Sequence, residues 1–292
     1  MSSIKTVGVV GGGQMGGGIA QVAAVSGHAV VLVDSSEAQL ARAKADHAKR
    51  LAREVEKGKM DAAAREAALA KISYTTDLEK VGGADIVIEA IVEDEGVKAE
   101  LFGRLAKVLT GNQILASNTS SISITRIAAA AEKAFAGAGA RVIGMHFFNP
   151  VPIMKLVEVI NGLQTSAETT QRVLALSAAM GKTAIPANDR PGFVSNRVLM
   201  PMINEAFYAW MEGVAEPQHV DEIMKLGCNF PMGPLNLADF IGLDTCVHIM
   251  DVLAEGLNND RYRACPLLKQ LVAAGRLGVK SGRGVFDYSK GK

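Results

Sequence analysis

The sequence predicts an α/β domain built on a doubly wound, mostly parallel sheet, followed by an all-α C-terminal domain. Three observations carry this reading. From Thr6 to about Pro186, short Val/Ile-rich runs alternate with helical stretches, the order expected of a parallel sheet wrapped by helices. Most of those runs are apolar throughout and not alternating, as in strands covered on both faces. Then "PANDRPGF" (Pro186 to Phe193) ends the strand pattern with two prolines and a glycine, and everything after it reads as helix. A chain of 292 residues exceeds the usual single-domain size, so two domains are expected, 1-188 and 189-292.

In chain order, the expected strands are Thr6 to Val10, Ala29 to Val33, Ile72 to Tyr74, Ala84 to Glu89, Ile114 to Ala116, Arg141 to Met145, Leu156 to Ile160 and Thr183 to Ile185. Between Ser36 and Lys71 lies an alanine- and charge-rich helical stretch, interrupted at Gly58 and longer than a crossover needs. The Ala/Gly-rich segment Ala128 to Ala140 reads as a helix end plus a flexible loop. In the second half Val194, Val198, Met202 and Ala206 recur every four residues, with Pro201 as a kink. "NFPMGPLN" (Asn229 to Asn236) is a turn-rich break between later helices. No repeat of solenoid period is visible.

Composition narrows the function classes. Thirty-one Lys and Arg nearly cancel thirty Asp and Glu, and a net charge of +1 gives no electrostatic case for nucleic acid. No apolar run approaches the roughly 18 residues of a membrane span, and the first strand pattern starts too close to Met1 for a signal peptide. Cys228, Cys246 and Cys265 are odd in number and lack C-x-x-C spacing, so they read as free thiols of a reducing compartment. A cytoplasmic protein without membrane partner or metal is expected.

The most informative stretch is "VGVVGGGQMGGGIAQV", with six glycines between Gly11 and Gly18. "GGGQMG" fits G-x-G-x-x-G between a strand and a helix, the loop of a Rossmann-type domain. Gly11 permits the tight turn, Gly13 lets main chain approach a pyrophosphate, and Gly16 allows close packing of helix on strand; Gln14 and Met15 complete the loop. The helix N-terminus offers unpaired N–H groups and a partial positive charge to phosphates. The second strand, "HAVVLVD", ends in Asp34, about twenty residues on, where an acid accepts from an adenosine ribose 2′-OH. It would repel a 2′-phosphate, and no arginine follows, so NAD is the expected cofactor.

Reacting groups in such a sheet gather at the carboxyl ends of strands. Two candidates stand there: Ser117 in "ASNTSS" and His146 in "GMHFFNP". Removing hydride from a secondary alcohol requires the hydroxyl proton to leave, which calls for a base of near-neutral pKa, and histidine fits. A lone histidine is more often structural, so this reading needs a partner. "KLVEVI" places Glu158 between Val157 and Val159, either as a strand-edge surface acid or, if buried, as the carboxylate that fixes the imidazole.

With these residues in view the chain resembles the 3-hydroxyacyl-CoA dehydrogenases, particularly the short-chain, 3-hydroxybutyryl-CoA type. "GMHFFNPVPIMKLVEVI", "LASNTSSISIT", "RPGFVSNRVLMP", "KLGCNFPMGP", "DFIGLDT" and "GVKSGRGVFDY" all look like that family's segments and span essentially the whole sequence. The resemblance implies an NAD-binding domain, a helical domain carrying most of a homodimer contact, and an acyl-CoA substrate of fatty acid or butanoate metabolism. It implies His146 as base in alcohol oxidation and acid in ketone reduction, oriented by Glu158. Ser117 and Asn196 would hydrogen-bond the reacting oxygen or the thioester carbonyl. Asp34, Glu93, Lys98, Ser117 and Asn149 would serve the cofactor.

Coenzyme A phosphates would meet "KRLAREVEKGK" (Lys49 to Lys59), where Lys57 matches the family's lysine. Arg50 and Ala52 stand where relatives use a small polar residue, a departure from the pattern. A plain solvated helix face, balanced by Glu54 and Glu56, is the competing reading for the other cations. Two rival functions are a dehydrogenase of a free 3-hydroxy acid, which would use a catalytic lysine, and an inactive NAD-binding structural protein.

Overall fold

The computed structural model describes residues 4–289 and divides into two units, Met1–Asp189 and Arg190–Lys292. In the first unit the chain runs β1 (Thr6–Val10), α1 (Gln14–Val25), β2 (Ala29–Val33), α2 (Glu37–Glu56), α3 (Ala62–Ala70), β3 (Ile72–Thr75) and β4 (Ile86–Glu89). It continues α4 (Glu95–Val108), β5 (Ile114–Ser117), α5 (Ile124–Ala134), β6 (Val142–Phe147), β7 (Leu156–Asn161), α6 (Ala167–Ala179) and β8 (Thr183–Asn188). The strands form one sheet in the order β3-β2-β1-β4-β5-β6-β7-β8, parallel except at the β6–β7 pair. The chain order therefore reverses at β1 and β4, and a crevice opens at their carboxyl ends.

Helix starts are set by short polar side chains. Ser36, Asp61, Asp94, Ser123 and Ser166 each accept from an N–H three residues on, at α2, α3, α4, α5 and α6. α1 has no such cap: Gly13 stands at its N-cap position without a side-chain bond, leaving the donors of that end unclaimed by side chains. The core lies between sheet and helices, with Val7, Val9, Ile86, Ile88, Ile114 and Ile143 wholly buried among the side chains of α1 and α6. His47 ties this layer together: from α2 its ring bonds the Gly17 carbonyl (2.7 Å) and the Tyr74 hydroxyl (2.8 Å).

The second unit comprises α7 (Ser195–Met211), α8 (Pro217–Cys228), α9 (Pro234–Ile241), α10 (Leu243–Gly256) and α11 (Pro266–Ala273). Its core is a separate cluster around Phe207, Leu235, Leu243, Cys246, Leu253 and Leu268. Pro201 lies inside α7.

Two sequence expectations need correction, at β8 and at the C-terminus. β8 does not stop at Ile185 but runs through Pro186 to Asn188, because it is the sheet's edge strand, where an absent N–H costs no ladder bond. The row Val194, Val198, Met202 and Ala206 falls on α7 and its N-cap, as expected; Val194 and Val198 are more than half exposed, while Asn196, Met200, Ile203, Ala206 and Phe207 turn inward. The C-terminal segment is not wholly helical, since Arg283 forms single antiparallel bridges with Gly278 and Asp287.

Candidate active site

The glycine loop is shaped by contacts that only glycine permits at two positions. Gly11 has φ +108°, and a Cβ there would stand 2.5 Å from the Ala90 carbonyl oxygen. A Cβ on Gly16 would fall 1.8 Å from the Gly11 carbonyl oxygen, so helix and strand meet there main chain to main chain. At Gly13, by contrast, nothing lies within 4 Å of that position, which leaves open approach to the uncapped end of α1. Asp34 holds the loop from behind. One carboxylate oxygen accepts from the Gly12 N–H (2.7 Å) and the other from the Ser36 N–H (2.9 Å). Gly11, Asp34, Leu78, Ile91, Leu101 and Arg104 are among the residues lining a 350 Å³ pocket beside it. An open anion-receptive helix end, a fixed carboxylate and an adjoining pocket fit a dinucleotide. Met15, next in the loop, is partly buried and packs against the core.

His146 and Glu158 are direct neighbours across the antiparallel β6–β7 pair, which puts both side chains on one face of the sheet. His146 Nδ1 lies 2.8 Å from Glu158 Oε2, both side chains are buried, and the Phe148 ring packs 4.6 Å from the imidazole. A carboxylate only accepts, so Nδ1 carries the proton and the neutral ring has its lone pair on Nε2. Such a ring can take a proton at Nε2 while the carboxylate stabilises the resulting imidazolium.

Ser117 ends β5 and is wholly buried, as are Glu89 and Lys98. Its hydroxyl donates to Glu89 Oε2 (2.6 Å), while Glu89 Oε1 accepts from the Ile91 N–H (2.7 Å) and from Lys98 Nζ. Lys98 also pairs with Glu93 at 3.3 Å. Glu93 Oε1 in turn gathers the loop after β5, accepting from the Thr119 hydroxyl (2.6 Å) and the N–H groups of Ser120 (2.8 Å) and Ser121 (3.2 Å). Burial alone would raise the Glu93 carboxyl, but the Lys98 charge and these hydrogen bonds outweigh it and hold the group below its ordinary range.

Gln14 Nε2 donates to Asn149 Oδ1 (3.0 Å), joining the first residue of α1 to the turn after β6. Both line an 850 Å³ groove together with Arg50, Arg53, Lys57, Lys59, Lys155 and Lys182, against which Glu54 is the one carboxylate in the lining. The ion pairs Lys57–Glu54 and Arg50–Asp46 are 3.8 Å long and solvent-exposed, so they hold these cations weakly. Lys182 is buried and donates to the Val151 and Met154 carbonyls, fixing the turn. Asn196 belongs to the second unit, where it is buried in the first turn of α7.

Sequence reasoning passed over Glu89, Asn118 and Lys155. Glu89 had a signal, an acid closing the apolar run "DIVIE", of the same kind as Glu158 in "KLVEVI". Asn118 Oδ1 accepts from the Phe147 N–H (2.9 Å), fixing the main chain next to His146; nothing in its local sequence announces that long-range bond.

Known proteins resemble the chain over essentially its whole length. The family model for the 3-hydroxyacyl-CoA dehydrogenase NAD binding domain matches residues 6–190, and that for the C-terminal domain matches 192–288. The chain is 55% identical over 291 residues to a probable 3-hydroxybutyryl-CoA dehydrogenase of Bacillus subtilis, covering 98% of each chain. It is 44% identical over 293 residues to the mitochondrial hydroxyacyl-coenzyme A dehydrogenase of Homo sapiens, covering 98% of this chain and 91% of that one. Among solved structures, (S)-3-hydroxybutyryl-CoA dehydrogenase from Ralstonia eutropha superposes with a TM-score of 0.94 at 50% identity, covering 99% and 100% of the two chains. The chain belongs to the 3-hydroxyacyl-CoA dehydrogenase family and is an NAD-dependent enzyme of that family.

Proposed function

We propose that the protein interconverts short-chain (3S)-3-hydroxyacyl-CoA and 3-ketoacyl-CoA, the 3-hydroxybutyryl/acetoacetyl pair foremost, with His146 and Glu158 as the acid/base pair. The observation that carries this reading is the buried 2.8 Å contact between the two side chains. In the oxidative direction His146 Nε2 takes the 3-hydroxyl proton and Glu158 stabilises the charged ring; in the reductive direction the same nitrogen returns the proton. Bound NAD supplies the hydride acceptor for the alcohol carbon, so one hydride and one proton leave together. Ser117 and Asn196 hydrogen-bond the reacting oxygen or the thioester carbonyl.

Gly11, Gly13, Gln14, Met15, Gly16, Asp34, Glu93, Lys98 and Asn149 form the cofactor's surroundings in this reading. Lys57 and Arg50 hold phosphate charges of coenzyme A, supported by the cationic lining of the 850 Å³ groove. We also read the enzyme as a cytoplasmic homodimer. The apolar Val194, Val198 and Leu226 exposed on the C-terminal unit support the association, and no helix among the described residues is long and apolar enough to cross a membrane.

Oxidation of NADH with acetoacetyl-CoA and with free acetoacetate tests the substrate class. The thioester is expected to exceed the free acid in kcat/KM by about 10²-fold or more, because remote binding energy is used at the reacting centre. Equal values would overturn the coenzyme A assignment.

A further inference from the structure

Gly12 is gripped from two directions by the turn between β2 and α2. Its N–H donates to Asp34 Oδ2 (2.7 Å), and its carbonyl accepts from Gln39 Nε2 (2.8 Å). The two grips are joined to each other. Asp34 Oδ1 accepts from the Ser36 N–H, and the Ser36 hydroxyl that caps α2 accepts from the Gln39 N–H at 3.2 Å. Four hydrogen bonds thus close a ring through Gly12, Asp34, Ser36 and Gln39. Gln39 belongs to none of the roles assigned above.

The consequence falls on the next peptide. A trans peptide is planar, so its C=O and N–H point in opposite directions, and the Gly12–Gly13 bond is trans. With the Gly12 carbonyl turned to Gln39, the Gly13 N–H is turned away from it, and no bond among the described residues takes that N–H up. A Cβ on Gly13 would meet nothing within 4 Å, so this side of the loop is open. A peptide between two glycines has no side chain of its own to hold its orientation. We propose that Gln39 is a positioning residue of the cofactor site, which fixes the Gly12 carbonyl and thereby aims the Gly13 N–H at the pyrophosphate of NAD. This rests on the reading above, in which the main chain at Gly13 meets the cofactor.

Asp34 does not depend on Gln39 in the same way. The Ser36 N–H holds the carboxylate from the other side, and each oxygen keeps a lone pair for a ribose hydroxyl. A defect at Gln39 therefore divides the cofactor: the pyrophosphate loses an aimed donor, and the adenosine end keeps its acceptor. General loosening of the fold would weaken both ends together. Gln39 is only half-buried, so its replacement leaves the Gly12 carbonyl within reach of water.

The test uses Gln39→Met, which keeps the length of the side chain and removes its donor. NADH affinity is read by fluorescence titration, and the affinities of ADP-ribose and adenosine by displacement of NADH. NADH and ADP-ribose, which carry the pyrophosphate, are expected to bind about three- to tenfold more weakly, the size of one neutral hydrogen bond, with adenosine unchanged. Gln39→Leu also lacks the donor and should repeat this split. An equal loss for adenosine, or unchanged affinity for NADH and ADP-ribose, would overturn the proposal. Gly13→Leu tests the underlying reading separately. Gly13 has an ordinary φ of −65° and room for a Cβ, so this variant should keep its melting temperature while its side chain blocks the open side of the loop and NADH binding is lost. NADH affinity retained in Gly13→Leu would remove the loop as the seat of the pyrophosphate, a result distinct from an unselective or absent effect at Gln39.

Discussion

In the first unit the buried carboxylates of Glu89 and Glu158 are met chiefly by side-chain donors, Ser117 and Lys98 for one and His146 for the other. In the second unit the equally buried carboxylates of Asp221 and Asp239 are met by main chain. Asp221 accepts from the Leu235 and Asn236 N–H groups at 2.8 and 2.9 Å, at the start of α9. Asp239 accepts from the Val285 and Phe286 N–H groups at the same distances, pinning the C-terminal segment. A Cβ on Gly233 would stand 2.2 Å from Asp221 Cγ, and one on Gly284 1.9 Å from Asp239 Oδ1. The backbone has been brought right up to these acids. Burying a carboxylate is costly either way, and the compensation differs: groups that can bind ligands or move protons in one unit, fixed peptide dipoles in the other. Burial of a charged group is therefore not by itself a mark of chemistry. The kind of donor that satisfies it separates the two uses.

That contrast breaks most visibly at His146. His146→Ala is expected to lower kcat by about 10²- to 10⁴-fold with NADH affinity retained, read by single-turnover kinetics and fluorescence titration. Because alanine also removes a partner of the buried Glu158, His146→Gln serves as a companion that keeps an amide donor; it should lose activity to a similar extent while folding normally. On the other side of the comparison, Asp221→Ala should leave kcat per active site unchanged and reduce stability to urea by about 2–6 kcal/mol, from two buried N–H groups left without acceptors. A loss of turnover without a loss of stability would place Asp221 among the chemical residues.

The smallest expected effect is on pH dependence. Glu93 titrates below its ordinary 4.5 in the folded protein, so its contribution is full above that value and is lost as pH falls through the lower folded one. Asp221 has the opposite sense: burial raises its carboxyl, the Asp239 charge adds to the rise, and the two N–H bonds oppose it. Its protonated form is thus favoured by folding, and its contribution declines as pH rises through the raised value. Thermal melts across the acid range should show Glu93→Gln losing less stability than wild type below about pH 4.5. An unchanged acid limb would contradict the assignment of Glu93 as the anchor of the 119–121 loop.

Much of this was legible in the residues themselves. The eight expected runs became eight strands, and those at the centre, β4, β5 and β6, are buried throughout because a sheet covered on both faces calls for apolar side chains, whereas the edge strands β3 and β8 are partly or largely exposed. Glu158 could be singled out because a carboxylate between two valines has to find a donor on its own face, and the β6–β7 register supplies His146. What stayed hidden was set by long-range pairing. Glu89 closes an apolar run, but which donors meet it is seen only once Lys98 and Ser117 close on it in the folded chain. The continuation of β8 past Pro186 depends on its being an edge, a property of the assembled sheet. The inward face of α7 is likewise decided by the neighbours it packs on, and a four-residue repeat alone could not choose between Val198 and Phe207.

The central claim is that Glu158 accepts a hydrogen bond from the Nδ1–H of His146 and so places the lone pair of the neutral ring on Nε2. Nitrogen-15 NMR of histidine-labelled enzyme, with His146 assigned through His146→Gln, reads the tautomer of the neutral ring directly. The account expects the Nδ1–H form in wild type and a shift toward a mixed population in Glu158→Leu; an Nε2–H ring in the wild-type enzyme would contradict it.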